Sequence, residues 1–419
     1  MQEPWSNLAA RGEYAAAIGS EALPAGMPSE FATSFLADAE SQLLNFTGRY
    51  VEAHRAISPN LFESEISSES PERTWLDLNT IDELTAVDAF DYIRSAVSGR
   101  QIVIINESHQ MGQHRAVMSE LLPILREEGF THFGMEALSE VAETAWQSNG
   151  APIQELGFYF NDPLMTNVLV TADALNFDWF AYEVRGEQRL DCSERQCSRS
   201  DRIEHRETAQ AQNIFDRVFA TNPEARVVLY VGLRHLDEAR GMSEDGLGNN
   251  WMAAVLAELT GLDPLTIDQV SGSGVGPDEV VQSARAIHHQ LNIDVPSVLI
   301  DQSGHVVEPP QARWDADIVL FSPIEWEVAL GERPGWMQSL SGRMPIAIDI
   351  SSLDQRPIVV QAFRLPKTER ALAVDQYAIL DGEAVEQVDL ILAPGQYAIE
   401  VQMPGESHTL LDFLEVTGD

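Results

Sequence analysis

QIVIINESHQMGQHR (residues 101–115) reads as a buried strand running straight into a polar cluster. Four consecutive β-branched residues, Ile102 to Ile105, suit a strand covered on both faces. Glu107, His109, His114 and Arg115 follow at once. Upstream, IDELTAVDAFDYIRSAV (81–97) carries apolar residues at helical spacing and stops at Ser98-Gly99-Arg100. Downstream, HRAVMSELLPILREEGF (114–130) predicts a helix closing at Gly129. The alternation continues. Strands are predicted at THFGMEAL (131–138), DWFAYEV (178–184), ARVVLYVGL (225–233) and PLTIDQV (264–270). Helices are predicted at 201–221, 249–262 and 278–291, and a helical and loop insertion precedes DWFAYEV. Strands alternating with helices imply a mostly parallel sheet with helices on both faces, whose sites lie at the carboxyl ends of the strands.

Residues 1–75 read as an alanine-rich helical cap and a Ser/Glu/Pro linker (60–75). Gly12-Glu-Tyr14 is answered by Gly48-Arg-Tyr50, and two partial matches make a cap rather than a peptide-binding solenoid. Residues 76–335 form the α/β core. Residues 336–419 hold the short strands MPIAIDI, RPIVVQAF, VDLILA and QYAIEVQM between turn residues, which predicts a small antiparallel β-domain.

Twenty-six Lys and Arg against 66 Asp and Glu give a net charge of −40 over 419 residues. That field repels nucleic acid and anionic membrane surfaces. No run of 18 apolar residues predicts a membrane span. The substrate expected is a small molecule or peptide, and the oligomeric state is left open. Cys192 and Cys197, the only cysteines, sit in a polar loop and are spaced to close a small disulfide. An exposed pair of this kind fits an oxidising compartment, hence a periplasmic or secreted chain, with the cytoplasm as the alternative.

Four predicted strands deliver ionisable residues to one sheet edge: Glu107 and His109; Glu136; Tyr182, Glu183 and Arg185; Arg234 and His235. Two hydrolytic schemes follow. In one, His109 is a general base on water, oriented by a carboxylate, with Arg206 or Arg234 stabilising the oxyanion. In the other, His109, His235 and Glu136 (or Glu107) hold a divalent metal that activates the water. His132, His288, His289 and His305 read as structural. No G-x-S-x-G elbow, H-E-x-x-H helix or P-loop occurs. Gly272-Ser-Gly274-Val-Gly276 has the wrong spacing for a dinucleotide fingerprint and reads as a turn.

Three stretches together resemble one superfamily: NESHQMGQHRAVMSELLPILREEGFTHFGMEA (106–137), RETAQAQNI (206–214) and VVLYVGLRHLDE (227–238). It holds the erythromycin esterase-like proteins, the ChaN-like haem-binding lipoproteins and the TIKI metalloproteases. The Glu107-Ser-His109 spacing is nearest the ChaN-like group, and the resemblance covers about residues 80–325. It implies a parallel α/β fold with His109, Glu136 and His235 in one site. By the esterase branch, His109 activates water without metal. By the TIKI branch, the histidines help bind a divalent metal. By the ChaN-like branch, the scaffold binds haem without turnover, with Tyr182 as a ligand candidate by position. Asn106 stands where these groups carry Gly.

Overall fold

The computed structural model describes residues 3–18, 20, 29–57, 78–192, 197–239, 250–274, 279–307, 314–338, 340, 342–405 and 408–418. The linker read over 60–75 and Gly276 lie outside them. At the centre is a six-stranded parallel sheet: β1 (Ile102–Glu107), β2 (His132–Met135), β3 (Asp178–Ala181), β4 (Val227–Gly232), β5 (Leu265–Asp268) and β6 (Ile318–Val319). Its order is β3-β2-β4-β1-β5-β6, so β1 and β4 occupy the middle. β1 is buried along its whole length, and its alternation feeds two cores. Val103 and Ile105 join Val117, Leu121, Val168 and Leu169 from the helices Gly112–Glu127 and Pro163–Ala174. Ile102 and Ile104 join Ala211, Ile214, Met252 and Leu256 from the helices Arg199–Ile214 and Met252–Thr260. A strand covered on both faces has no polar side to show, which explains its unbroken apolar run.

The expected helix over 81–97 is split. Thr85–Asp88 is a short strand paired antiparallel with Ser297–Ile300. The helix Ala89–Ala96 starts only after Asp88, whose carboxylate accepts the Phe90 and Asp91 amide hydrogens. A partner strand overrides helical spacing in the first part of the segment.

The C-terminal strands form a four-stranded antiparallel sheet (358–364, 375–379, 395–402, 409–416) beside a two-stranded one (344–349, 387–392), with a shared apolar core. The first N-terminal helices pack on it: Trp5, Ala9, Tyr14 and Phe46 meet Val359 and Ala378. Gly12 (φ +73°) and Gly48 (φ +78°) are the left-handed turns before helices starting at Tyr14 and Tyr50, so the repeated Gly-x-Tyr marks a repeated turn. Among the described residues, no helix is long and apolar enough to cross a membrane.

Candidate active site

Three carboxylates of the site stand at or just beyond the ends of parallel strands. Glu107 ends β1 and is paired in register with Gly232, which ends β4. Glu136 follows β2 and donates its amide hydrogen to the Tyr230 carbonyl. Glu183 lies two residues beyond β3.

Glu107 is buried and gripped by the fully buried Arg115: Nε donates to Oε2 (2.7 Å) and Nη2 to Oε1 (3.1 Å). The Tyr230 hydroxyl also donates to Oε2 (3.2 Å). Burial opposes the charge on Glu107, but Arg115 and His109 outweigh it and push its pKa down to about 2. Arg115 also pairs with the buried Asp162, whose carboxylate accepts from Tyr50 Oη and Asn45 Nδ2 and caps the helix Pro163–Ala174. The N-terminal helices thus reach the site directly. Gln42 donates to the His109 carbonyl (2.9 Å), and Asn45 accepts the Gly112 amide hydrogen (2.8 Å).

His109 Nδ1 lies 3.2 Å from Glu107 Oε1. An ionised carboxylate only accepts, so Nδ1 carries a proton, and in the uncharged ring Nε2 presents its lone pair. The ring stacks on Tyr159, with centroids 4.2 Å apart. Its Cε1–Nε2 edge faces Gly232. A Cβ there would lie 2.5 Å from His109 Cε1, 3.0 Å from Nε2 and 3.1 Å from Glu136 Oε2. A cavity of about 10 Å³, room for one water molecule, is bordered by Glu107, His109, Glu136, Tyr159, Tyr230 and Gly232.

Glu136 Oε2 accepts the Gly232 amide hydrogen (2.6 Å), while Oε1 meets Arg206 and His235 Nε2 (3.2 Å). Burial opposes its charge, yet His235 and Arg206 hold its pKa well below the usual carboxylate range. His235 Nδ1 lies 2.6 Å from Glu207 Oε2. Nε2 can accept from Arg206 Nη1 (2.9 Å) or donate to Glu136. Burial disfavours a charged ring, but Glu136 and Glu207 outweigh it and push the pKa up to about 10, so donation wins at neutral pH. Glu183 completes the arrangement, accepting from Arg206 Nε (3.1 Å) and Gln210 Nε2 (3.0 Å). Two cations are held among three carboxylates.

The structure therefore joins Glu107, His109, Glu136, His235 and Arg206. Arg234 is directed elsewhere: its guanidinium bonds Asp237 (2.9 Å) and lies over Trp251. The reason is local. Leu233 adopts φ +43° at the start of a short turn, where Arg234 pairs with Asp237 three residues on and His235 meets Glu136 and Glu207. Asn106 clamps this turn through the Leu233 carbonyl (2.9 Å) and also bonds Asp268 (2.9 Å), work that a Gly could not do. Tyr182 is only 1% exposed in the second core, with its hydroxyl donating to the Tyr230 carbonyl, which leaves no approach to a haem iron. The cavity is also far smaller than a tetrapyrrole. His235 is a charged donor at neutral pH. Tyr159 and Glu207 enter as site residues, Glu207 standing beside the expected Arg206, and Arg115 of the polar cluster after the first strand takes the grip on Glu107.

The donor set expected for a divalent metal does not fit. The Arg206 guanidinium lies against both His235 and Glu136, where a metal shared by them would have to sit. Among the described residues, no three His, Cys, Asp or Glu side chains are grouped to hold a metal ion.

No family model matches the sequence, and no curated protein matches it. Solved structures match over part of the chain. A bacterial toxin structure aligns with 57% of this chain and 46% of its own, at 13% identity and TM-score 0.32. RRSP, a MARTX toxin effector domain from Vibrio vulnificus CMCP6, aligns with 57% of this chain and 45% of its own, at 16% identity and TM-score 0.32. The type III effector HopBA1 aligns with 58% of this chain and 96% of its own, at 10% identity and TM-score 0.34. This chain thus spans less than half the length of the toxin structures it matches.

Proposed function

We propose that this chain is a metal-independent hydrolase of ester or amide bonds, with one water held between His109 Nε2 and Glu136 as nucleophile. The observation that carries the reading is the one-water cavity bordered by Gly232, a carboxylate-oriented imidazole and an ionised carboxylate. Glu107 fixes the His109 tautomer, as a carboxylate does in any acid–base triad. His109 Nε2 takes one proton from the water and Glu136 accepts the other in a hydrogen bond. The water oxygen attacks the acyl carbon, the carbonyl becomes an oxyanion, and the proton on His109 then passes to the leaving group. Arg206, 39% exposed, is the cation available to that oxyanion. A cleft of about 310 Å³ bordered by Ser139, Glu140, Glu143, Glu183 and Arg185 opens beside Glu183 and has room for a substrate group. The motif resemblance to the erythromycin esterase-like branch supports the same reading. The Cys192–Cys197 disulfide supports placing the chain in an oxidising compartment.

The test is a library of activated esters and amides turned over by wild type, His109→Ala and Glu136→Gln in chelator. The reading requires wild-type hydrolysis undiminished by chelator and a loss of about 10²–10⁴-fold in both variants. Turnover that survives His109→Ala, or that depends on added metal, would overturn it.

A further inference from the structure

The turn carrying Glu107 and His109 is tied from within by a residue the proposed reaction does not use. Ser108, between them, donates its amide hydrogen to His114 Nδ1 at 3.0 Å. Met111 donates its own to the Ser108 carbonyl, also at 3.0 Å, so both ends of the Ser108 residue are held. A backbone N–H can only donate, so Nδ1 carries a lone pair. Burial pushes the His114 pKa down to about 3, so the ring is uncharged at neutral pH and its proton sits on Nε2.

That Nε2–H is fully buried and has no hydrogen-bond partner among the described residues. Electrostatically coupled to it is His54, from the helix Tyr50–Ile57, 2% exposed and with both ring nitrogens unpartnered. Gln269 borders the same ring residue: its Nε2 lies near the His114 carbonyl, and its Oε1 is unpartnered. Buried polar atoms without partners cost about 1–3 kcal/mol each, so a histidine kept here needs a reason. Metal binding does not supply one. An imidazole that ligates through Nε2 carries its proton on Nδ1, and here Nδ1 accepts. A structural filler of the same volume would be apolar and would avoid the cost.

Resting on the hydrolase reading, we propose that His114 is a positioning residue: its Nδ1 fixes the Ser108 amide so that Glu107 and His109, on either side, converge on the same water. Burial, aided by His54 and Arg115, outweighs the pull of the Glu107 carboxylate, so no second proton is drawn onto the His114 ring. The Ser108 hydroxyl, which donates to Gln110 Oε1 (3.1 Å), leaves the amide as the group His114 holds.

Two variants separate the roles of the ring. Asn places Oδ1 near the Nδ1 position and keeps the acceptor; Leu removes it. Three readouts are taken: Ser108 amide hydrogen exchange, the kcat and KM of the best substrate, and the melting temperature. His114→Leu is expected to speed Ser108 exchange at least about tenfold and lower kcat by about 10²-fold with KM within about twofold, the cost of a small misplacement. His114→Asn is expected to restore both to within about threefold of wild type. Ser108 exchange and kcat unchanged in His114→Leu, or Asn and Leu equally impaired, would overturn the proposal. Should His114→Leu fail to fold, nitrogen NMR of wild-type His114 decides alone: an Nε2–H tautomer supports the proposal, and an Nδ1–H tautomer or an imidazolium overturns it. Ser108 exchange that tracks the variants in a protein without hydrolytic activity would leave the positioning role standing and sink only the hydrolase reading.

Discussion

Gly232→Ala puts a single methyl group against the His109 ring at the border of the one-water cavity. The backbone there (φ −83°, ψ 139°) suits alanine, so no left-handed strain enters. The obstacle is contact. The new carbon would lie 2.5 Å from His109 Cε1 and 3.1 Å from Glu136 Oε2, well inside the ~3.5–4.0 Å of a normal carbon contact. The ring must retreat by about 1 Å, which stretches the 3.2 Å Glu107 contact and compresses the Tyr159 stack. A misplacement of that size costs about 10²-fold in rate. Stability should suffer less. Overpacking costs about 1–3 kcal/mol, and alanine recovers about 0.4–1 kcal/mol by restricting the unfolded chain. The assay pairs kcat/KM on the best library ester with a melting curve. A folded Gly232→Ala protein with activity within threefold of wild type would refute the reasoning.

Three other predictions follow from the charges and the disulfide. His235, pushed up to about 10, contributes stability that is fully present below its unfolded pKa near 6.5 and lost as pH rises through 10. Melting temperature should therefore fall between pH 7 and 10 in wild type, and the fall should shrink in Glu207→Gln, with the His235 titration moving down by NMR. Glu238 is raised to about 7 by burial, with Asp317, Asp263 and Asp315 adding to the rise and its Thr266 hydrogen bond opposing it. Its protonated form favours the fold, so its contribution is present below about pH 4.5 and lost as pH rises through 7; Glu238→Gln should stabilise by about 1–2 kcal/mol at pH 8 and by almost nothing at pH 4.5, read by denaturant unfolding. Breaking Cys192–Cys197, just before the helix that carries Arg206 and Glu207, should cost about 2 kcal/mol by loop entropy, seen as a lower melting temperature of the Cys192→Ser/Cys197→Ser protein.

Much of the site was legible because a parallel sheet sends strand ends to one edge. Once QIVIIN, THFGM and ARVVLYVG were read as strands, Glu107, Glu136 and His235 had to converge. Arg234 and His235 are equally close to that edge in sequence, and only their contacts in the short turn at Leu233 separate them, which no propensity announces. Tyr159 and Asp162 come from the insertion before β3, and Gln42 and Asn45 from a helix more than sixty residues before His109. Long-range packing leaves no local periodicity to read. Thr85–Asp88 shows the same effect in the fold, since its strand exists by virtue of Ser297–Ile300.

The most direct test of the central claim is a single turnover of the best library ester in ¹⁸O-enriched water, with mass spectra of product and intact protein. Direct attack by the water between His109 and Glu136 predicts one ¹⁸O in the released acid and no acylated protein at any time. An unlabelled acid, or an acyl group found on the chain, would contradict it.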